Sequence, residues 1–125
     1  MALLALLSAC HSVAGSDTVC TGVAVPAIQL EVRDAADRTP AGREARVIAR
    51  DGAFADTARP YVLHGYEDQV LTFMLAFERR GTYLVTVERA GYMRWERAGV
   101  RVDGNECHVR PVELTALLQR LPGPE

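Results

Sequence analysis

The chain has 125 residues, the length of one domain, and its 49% hydrophobic and 24% charged composition indicates a globular protein rather than a disordered one. Its formal net charge of −2 excludes the strongly basic surface that favours nucleic acid or anionic lipid. All 14 basic residues are arginines, and they are scattered among 16 acidic residues instead of forming a cluster.

The first ten residues have the pattern of an export signal. Residues 2–9 form an apolar run that is too short to span a bilayer, which takes about 20 residues. The segment Leu7-Ser8-Ala9-Cys10 resembles the bacterial lipobox, in which the chain is cut before a cysteine that then carries lipid. We therefore expect a signal peptide at 1–9 and lipidation of Cys10, although no basic residue follows Met1. A plain secretory signal, or a buried strand with an ordinary cysteine, is the alternative.

Residues 10–19 are small and polar, and we expect them to form a short lipidated tether. After the tether, the sequence pattern is typical of short strands separated by regular turn signals. Strands are predicted at 27–33 and at 45–50, where apolar and polar side chains alternate. The dipeptide Asp51-Gly52 after the second strand is typical of a tight turn.

Residues 53–69 carry the weakest pattern. Pro60 indicates a bend, and Tyr61-Val62-Leu63 fits a short edge strand. The run 70–77 is apolar at almost every position and ends in Phe77, which predicts a strand covered on both faces.

The strongest strand pattern in the chain extends from Gly81 to Val87. Its β-branched and aromatic residues place Tyr83, Val85 and Val87 on one face, as expected of a central strand. The next strand is predicted over 92–102, with a β-bulge at Ala98-Gly99.

The C-terminal part of the chain contains a second turn signal, Asp103-Gly104-Asn105. A last strand is predicted from Cys107 to Leu114, at an edge or bulged at Pro111. We expect residues 116–125 to be a tail, with a short helical turn at 116–121 and a frayed end.

Several of these segments together carry a family resemblance. They are Asp51-Gly52 with Phe54 after it, Gly81-Thr82-Tyr83, Ala90-Gly91-Tyr92 and Gly99-Val100-Arg101-Val102. In the order and residue types of these segments, the chain resembles the carboxypeptidase regulatory-like domain, a seven-stranded sandwich of the transthyretin (prealbumin-like) kind. The resemblance covers roughly residues 25–115. It implies an all-β, antiparallel-rich β-sandwich, which we assign to residues 20–115, and it implies almost nothing about chemistry, because its motifs are turn and core residues.

Three cysteines in an exported chain indicate one disulfide and one unpaired cysteine. If Cys10 carries lipid, Cys20 and Cys107 remain, and in the resembled fold the strands beside them are neighbours in one sheet. We therefore expect a disulfide between Cys20 and Cys107. Two buried free thiols are the alternative.

The most site-like cluster lies on the predicted loop 59–69, at a sandwich end, where recognition loops often occur. Its members are Tyr61, His64, Tyr66, Glu67 and Asp68. We expect this loop to bind a ligand or partner, with a merely solvated polar loop as the alternative. The other histidines, His11 and His108, have no partner at metal-ligand spacing, and we expect His108 to point outward. No metal site and no cofactor are expected.

No nucleophilic triad, phosphate loop or paired carboxylates are apparent in the sequence, so no catalytic residue is assigned. We expect a non-enzymatic lipoprotein of the bacterial cell envelope, anchored to the membrane through lipid and acting as a structural or binding module. Its expected partners are another envelope protein or a carbohydrate, and not nucleic acid. The alternatives are an accessory domain of a peptidase or transport complex, and a small hydrolase or metal-dependent enzyme that uses His64, Glu67 and Asp68.

Overall fold

Two β-sheets packed face to face make up the fold in the computed structural model, which describes residues 19–61, with 59–61 by their backbone, and residues 72–123. The strands in chain order are β1 (Ile28–Asp34), β2 (Arg46–Asp51), β3 (Phe54–Thr57), β4 (Arg59–Tyr61), β5 (Thr72–Leu75), β6 (Gly81–Glu88), β7 (Trp95–Val102) and β8 (Val112–Leu118). One sheet has the order β4-β5-β1-β8 and the other β3-β2-β6-β7.

The predicted all-β, antiparallel-rich sandwich is confirmed. Among the described strands, five of the six paired neighbours are antiparallel, and β1 with β8 is the parallel pair. The described residues form eight strands against the seven expected, and the strand that the sequence did not predict is the four-residue β3. The described residues contain no helix.

The core lies between β1 in one sheet and β6 in the other. Both strands alternate as predicted: each turns one face towards the opposite sheet, and the residues of the other face are less buried, apart from Thr86 of β6, which is 2% exposed. Burying each aliphatic side chain on these inward faces contributes about 1.5–3 kcal/mol. The fully buried inward residues of the two strands are Ile28, Leu30, Val32, Tyr83, Val85 and Val87.

Two local irregularities occur where the sequence predicts them. Gly52 has φ +56° in the two-residue turn that joins β2 to β3. In the β6–β7 pair the register shifts between Tyr83 and Val85, so that Ala98 and Gly99 together oppose one residue of β6. Gly99 has φ +67°, a conformation that glycine adopts without steric cost.

The middle of the chain differs from the prediction at two places. The edge strand expected at 61–63 lies at 59–61, and residues 62–71 are outside the described part of the chain. The strand predicted over 70–77 ends at Leu75 because Ala76 adopts φ +52° and turns the chain towards β6. Phe77, expected to be covered, is 48% exposed.

The last strand also differs from the prediction. A loop at 103–110 carries the chain across to the other sheet, so the last strand lies at a sheet edge as predicted but at Val112–Leu118 instead of Cys107 to Leu114. Strand β8 begins at Val112, directly after Pro111. Because Pro111 lies before the strand, its missing N–H removes no hydrogen bond from the sheet. The expected helical turn and frayed tail are also wrong at their start, because Ala116 and Leu118 are buried in β8.

Candidate functional site

A disulfide joins Cys20 to Cys107 at one end of the sandwich, with the two Cα atoms 5.1 Å apart, so the predicted pairing is confirmed. Cys20 precedes β1, and Cys107 lies in the loop 103–110 that precedes β8. The bond therefore fastens the segment upstream of β1 to the loop upstream of the strand that runs parallel to it.

The loop 103–110 is shaped by two residues of its turn signal. The side-chain oxygen of Asn105 accepts hydrogen bonds from the backbone N–H groups of Cys107 and His108, both at 2.9 Å. A Cβ atom on Gly104 would lie 2.5 Å from the carbonyl oxygen of His108, so only glycine fits there. The loop holds Cys107 and His108 side by side at the disulfide end of the sandwich.

Glu78, in the turn between β5 and β6, connects three segments at this end. Its Oε1 accepts a hydrogen bond from the backbone N–H of Val25 at 2.8 Å, and its Oε2 accepts one from Val109 at 3.3 Å. Its own N–H donates to the carbonyl oxygen of Val25 at 2.8 Å. The hydrogen bond with His108, and then these backbone donors, hold the pKa of the Glu78 carboxyl below its usual range against the opposing effect of partial burial.

His108 lies between Glu78 and Thr21. Its Nδ1 is 2.6 Å from Oε1 of Glu78, and its Nε2 is 2.9 Å from Oγ1 of Thr21. Because the ionised Glu78 carboxylate only accepts, Nδ1 carries a hydrogen, and in the neutral form of the ring Nε2 accepts the Thr21 hydroxyl proton. The expectation that His108 points outward is therefore wrong: its side chain is 22% exposed and has a partner on each nitrogen.

These three side chains border an open cleft of about 460 Å³ beside the disulfide. Thr21 is exposed at its margin. The cleft also contains Arg80, whose guanidinium donates to the backbone carbonyl oxygen of Asn105. The site thus combines a hydroxyl, an imidazole, a carboxylate and a cation in a solvent-accessible depression, which is a set of groups that can bind and polarise a carbonyl compound.

A second polar cluster lies at the other end of β1, around the buried carboxylate of Asp34, which is 1% exposed. Its Oδ2 accepts hydrogen bonds from Arg120 Nε at 2.7 Å and from the Tyr92 hydroxyl at 2.8 Å, and its Oδ1 accepts one from the N–H of Ala36 at 2.8 Å. The Arg120 and Tyr92 hydrogen bonds hold the pKa of Asp34 far below its usual range. Both carboxylate oxygens have partners, and the cluster fastens the chain after β8 to the end of β1, which is a structural role.

Most of the residues predicted to carry function lie outside the described part of the chain. The proposed lipidation site Cys10 and the loop residues His64, Tyr66, Glu67 and Asp68 belong to this group, and Tyr61 lies in the edge strand β4. Within residues 19–61 and 72–123, no cluster of three or more His, Cys, Asp or Glu side chains could hold a metal ion.

The sequence patterns did not predict that Thr21, His108 and Glu78 lie together. A signal for two of them was present, because Thr21 and His108 each directly follow a cysteine of the predicted disulfide. A bond between those cysteines necessarily draws the residues next to them close to one another. For Glu78 the local sequence holds no such signal.

Comparison of the chain with protein-family models and with curated proteins finds no match. Among the described residues, no helix is long and apolar enough to cross a membrane.

Proposed function

We propose that this chain is an exported protein of the bacterial cell envelope, anchored to a membrane through lipid on Cys10, whose β-sandwich serves as a structural or binding module. The observation that carries the proposal is the Cys20–Cys107 disulfide. Disulfides form and persist in oxidising compartments outside the cytosol, so the bond supports export.

The lipobox-like segment Leu7-Ser8-Ala9-Cys10 supports the anchor. Several acyl chains on one cysteine hold a protein at a bilayer surface that a single chain binds only weakly. Ten residue steps separate Cys10 from Cys20, and a fully extended chain of that length reaches about 35 Å. In this proposal the end that bears the cleft is the end nearest the membrane, because the disulfide fixes Cys20 to that end of the sandwich.

The resemblance to the carboxypeptidase regulatory-like domain, a module often appended to larger proteins, supports an accessory role beside another envelope protein; a carbohydrate is the other proposed partner. The two-layer architecture, with β1 and β8 as neighbours, is what that resemblance implies. The recognition segment of this proposal is 59–69, which begins in the edge strand β4 and carries Tyr61, His64 and Tyr66.

The proposal is tested by expressing the chain with its own N-terminus in a bacterial host and fractionating the cells. We expect the unaltered protein in the membrane fraction and Cys10→Ala in the soluble exported fraction. Cys20 and Cys107 should resist alkylation without reductant in both. The matched control is the Cys20→Ser/Cys107→Ser double variant, which should remain in the membrane fraction because its anchor is intact. Membrane association of Cys10→Ala contradicts the anchor, and labelling of Cys20 and Cys107 without reductant contradicts export.

A further inference from the structure

We propose that Thr21, His108 and Glu78 form a nucleophile–base–carboxylate relay that hydrolyses small carboxylic esters in the cleft beside the disulfide. This activity goes beyond the proposed function, because it requires neither the lipid anchor nor a partner. Thr21 is the nucleophile, His108 is the general base, and Glu78 is a positioning residue that acts through His108.

The order of the three groups carries the inference. The Thr21 hydroxyl oxygen is 2.9 Å from Nε2 of His108, and Nδ1 of the same ring is 2.6 Å from the Glu78 carboxylate. An activated hydroxyl nucleophile requires this sequence of contacts: a base within hydrogen-bond reach of the hydroxyl, and a third group that fixes the orientation of the base. The two ring nitrogens serve the two roles separately, since one accepts from the hydroxyl and the other donates to the carboxylate.

Each member of the relay is held by groups outside it. Backbone N–H groups of Val25 and Val109 bind the Glu78 carboxylate, and the Asn105 side chain binds the backbone of His108. The disulfide holds the residues next to its cysteines, which are Thr21 and His108 themselves. Rigid support of this kind reduces the conformational freedom that a reacting pair must lose.

The surroundings leave room for a small ester. Thr21 is exposed and the cleft is open, so an acyl group can approach the hydroxyl from solvent. The cleft of about 460 Å³ accommodates a small ligand. Arg80 lines it and supplies the positive charge that stabilises an oxyanion in the transition state.

The reaction has two balanced steps. In the first, the Thr21 oxygen bonds to the ester carbonyl carbon, its proton passes to His108 Nε2 and on to the departing alcohol, and the carbon–alkoxy bond breaks. In the second, water bonds to the acyl carbon and gives a proton to Nε2, the bond to Thr21 breaks, and that proton returns to the Thr21 oxygen. The sum is ester plus water giving carboxylic acid plus alcohol, with no other reactant.

The test uses the disulfide-bonded full chain with p-nitrophenyl acetate as substrate and a fluorophosphonate as covalent probe. We expect the probe on Thr21, located by mass spectrometry of peptides. Thr21→Val should abolish labelling and lower the hydrolysis rate at least ten-fold, whereas Thr21→Ser should retain both. His108→Gln should lower the rate on the order of 100-fold. The matched control is Thr82→Val, an exposed threonine on β6, which should change neither.

Glu78→Gln gives the readout that separates positioning from a structural role. The substitution removes the negative charge that stabilises the imidazolium formed when His108 takes the Thr21 proton, so the rate should fall while the fold and disulfide persist. Raising the pH should not restore the rate. Labelling of another residue, no labelling of Thr21, or unchanged hydrolysis by Thr21→Val overturns the relay and leaves Thr21 as a hydrogen-bonded contact. Membrane fractionation is independent of all these outcomes, so the relay and the proposed function can fail separately.

Discussion

Removal of the disulfide should cost this domain a large part of its stability. The bond connects residues separated by 87 positions in the sequence. In the chain-entropy model, closing a loop of this length lowers the entropy of the unfolded chain by about 15 cal/mol/K, which corresponds to about 4.6 kcal/mol at 25 °C. Natural domains have unfolding free energies of about 5–15 kcal/mol, so the predicted loss is a substantial fraction of the whole.

The assay compares urea and thermal unfolding of the unaltered protein with the Cys20→Ser/Cys107→Ser double variant. We expect the unfolding free energy to fall by about 4–5 kcal/mol, and the melting temperature to fall on the order of 20 °C. The unaltered protein measured in reductant is the matched control and should fall equally. The hydrogen bonds between Glu78 and Val25 should persist, because the effect resides in the unfolded chain. A loss below about 1 kcal/mol would refute the loop-closure reasoning.

Three further predictions concern the core, the bulge and the buried carboxylate. In urea unfolding, Phe73→Ala should lower the unfolding free energy by about 3–5 kcal/mol because Phe73 is 1% exposed. Phe77→Ala should change it by no more than about 0.5 kcal/mol because Phe77 is 48% exposed. Equal losses would contradict the finding that β5 ends at Leu75, before Phe77. Gly99→Ala should cost about 1–2 kcal/mol from its positive φ alone, since a Cβ there meets nothing within 4 Å, and Gly99→Asn should cost less. The pKa of Asp34 is lower in the folded state than its ordinary 3.8, so the stability it confers is complete above that value and is lost as the pH falls below it. The urea midpoint of Asp34→Asn should therefore lie below that of the unaltered protein at pH 7 and approach it in acid, and a gap that is constant with pH would contradict this.

Strands that bury one face were predictable from the sequence. In β1 and β6 the apolar side chains recur at every second position, and the two-residue period directly encodes which face meets the opposite sheet. The bulge at Ala98-Gly99 was predictable too, because glycine inside a strand pattern marks a position that needs unusual backbone angles.

Strands defined by distant partners were not predictable in the same way. The short β3, Phe54–Thr57, has half-buried and exposed residues and thus no clear apolar face. In β8 the run Ala116-Leu117-Leu118 lacks alternation, and its strand conformation depends on a parallel partner about 85 residues earlier in the chain. Local sequence holds no information about such a partner.

The candidate site, like the fold, has parts that the sequence predicts and parts that it does not. Pairing of Cys20 with Cys107 could be anticipated, but the position of His108 could not, since the prediction placed it on an alternating strand and it lies in a loop organised by Asn105. Glu78 reaches that loop because Ala76 and Glu78 both adopt positive φ in a turn without glycine. Such backbone angles are set by the packing around the turn rather than by its residue types.

Strands β1 and β8 run parallel, and the disulfide joins the segments that precede them, which has a mechanical consequence. Tension applied to the chain upstream of Cys20 enters the domain through the sulfur bridge and divides between the starts of two strands that run the same way. Both strands are then pulled the same way along their axes, so the hydrogen bonds between them are not opened one at a time. A domain tied down by its leading segment is in this way protected at the point where pulling would otherwise begin to unravel it.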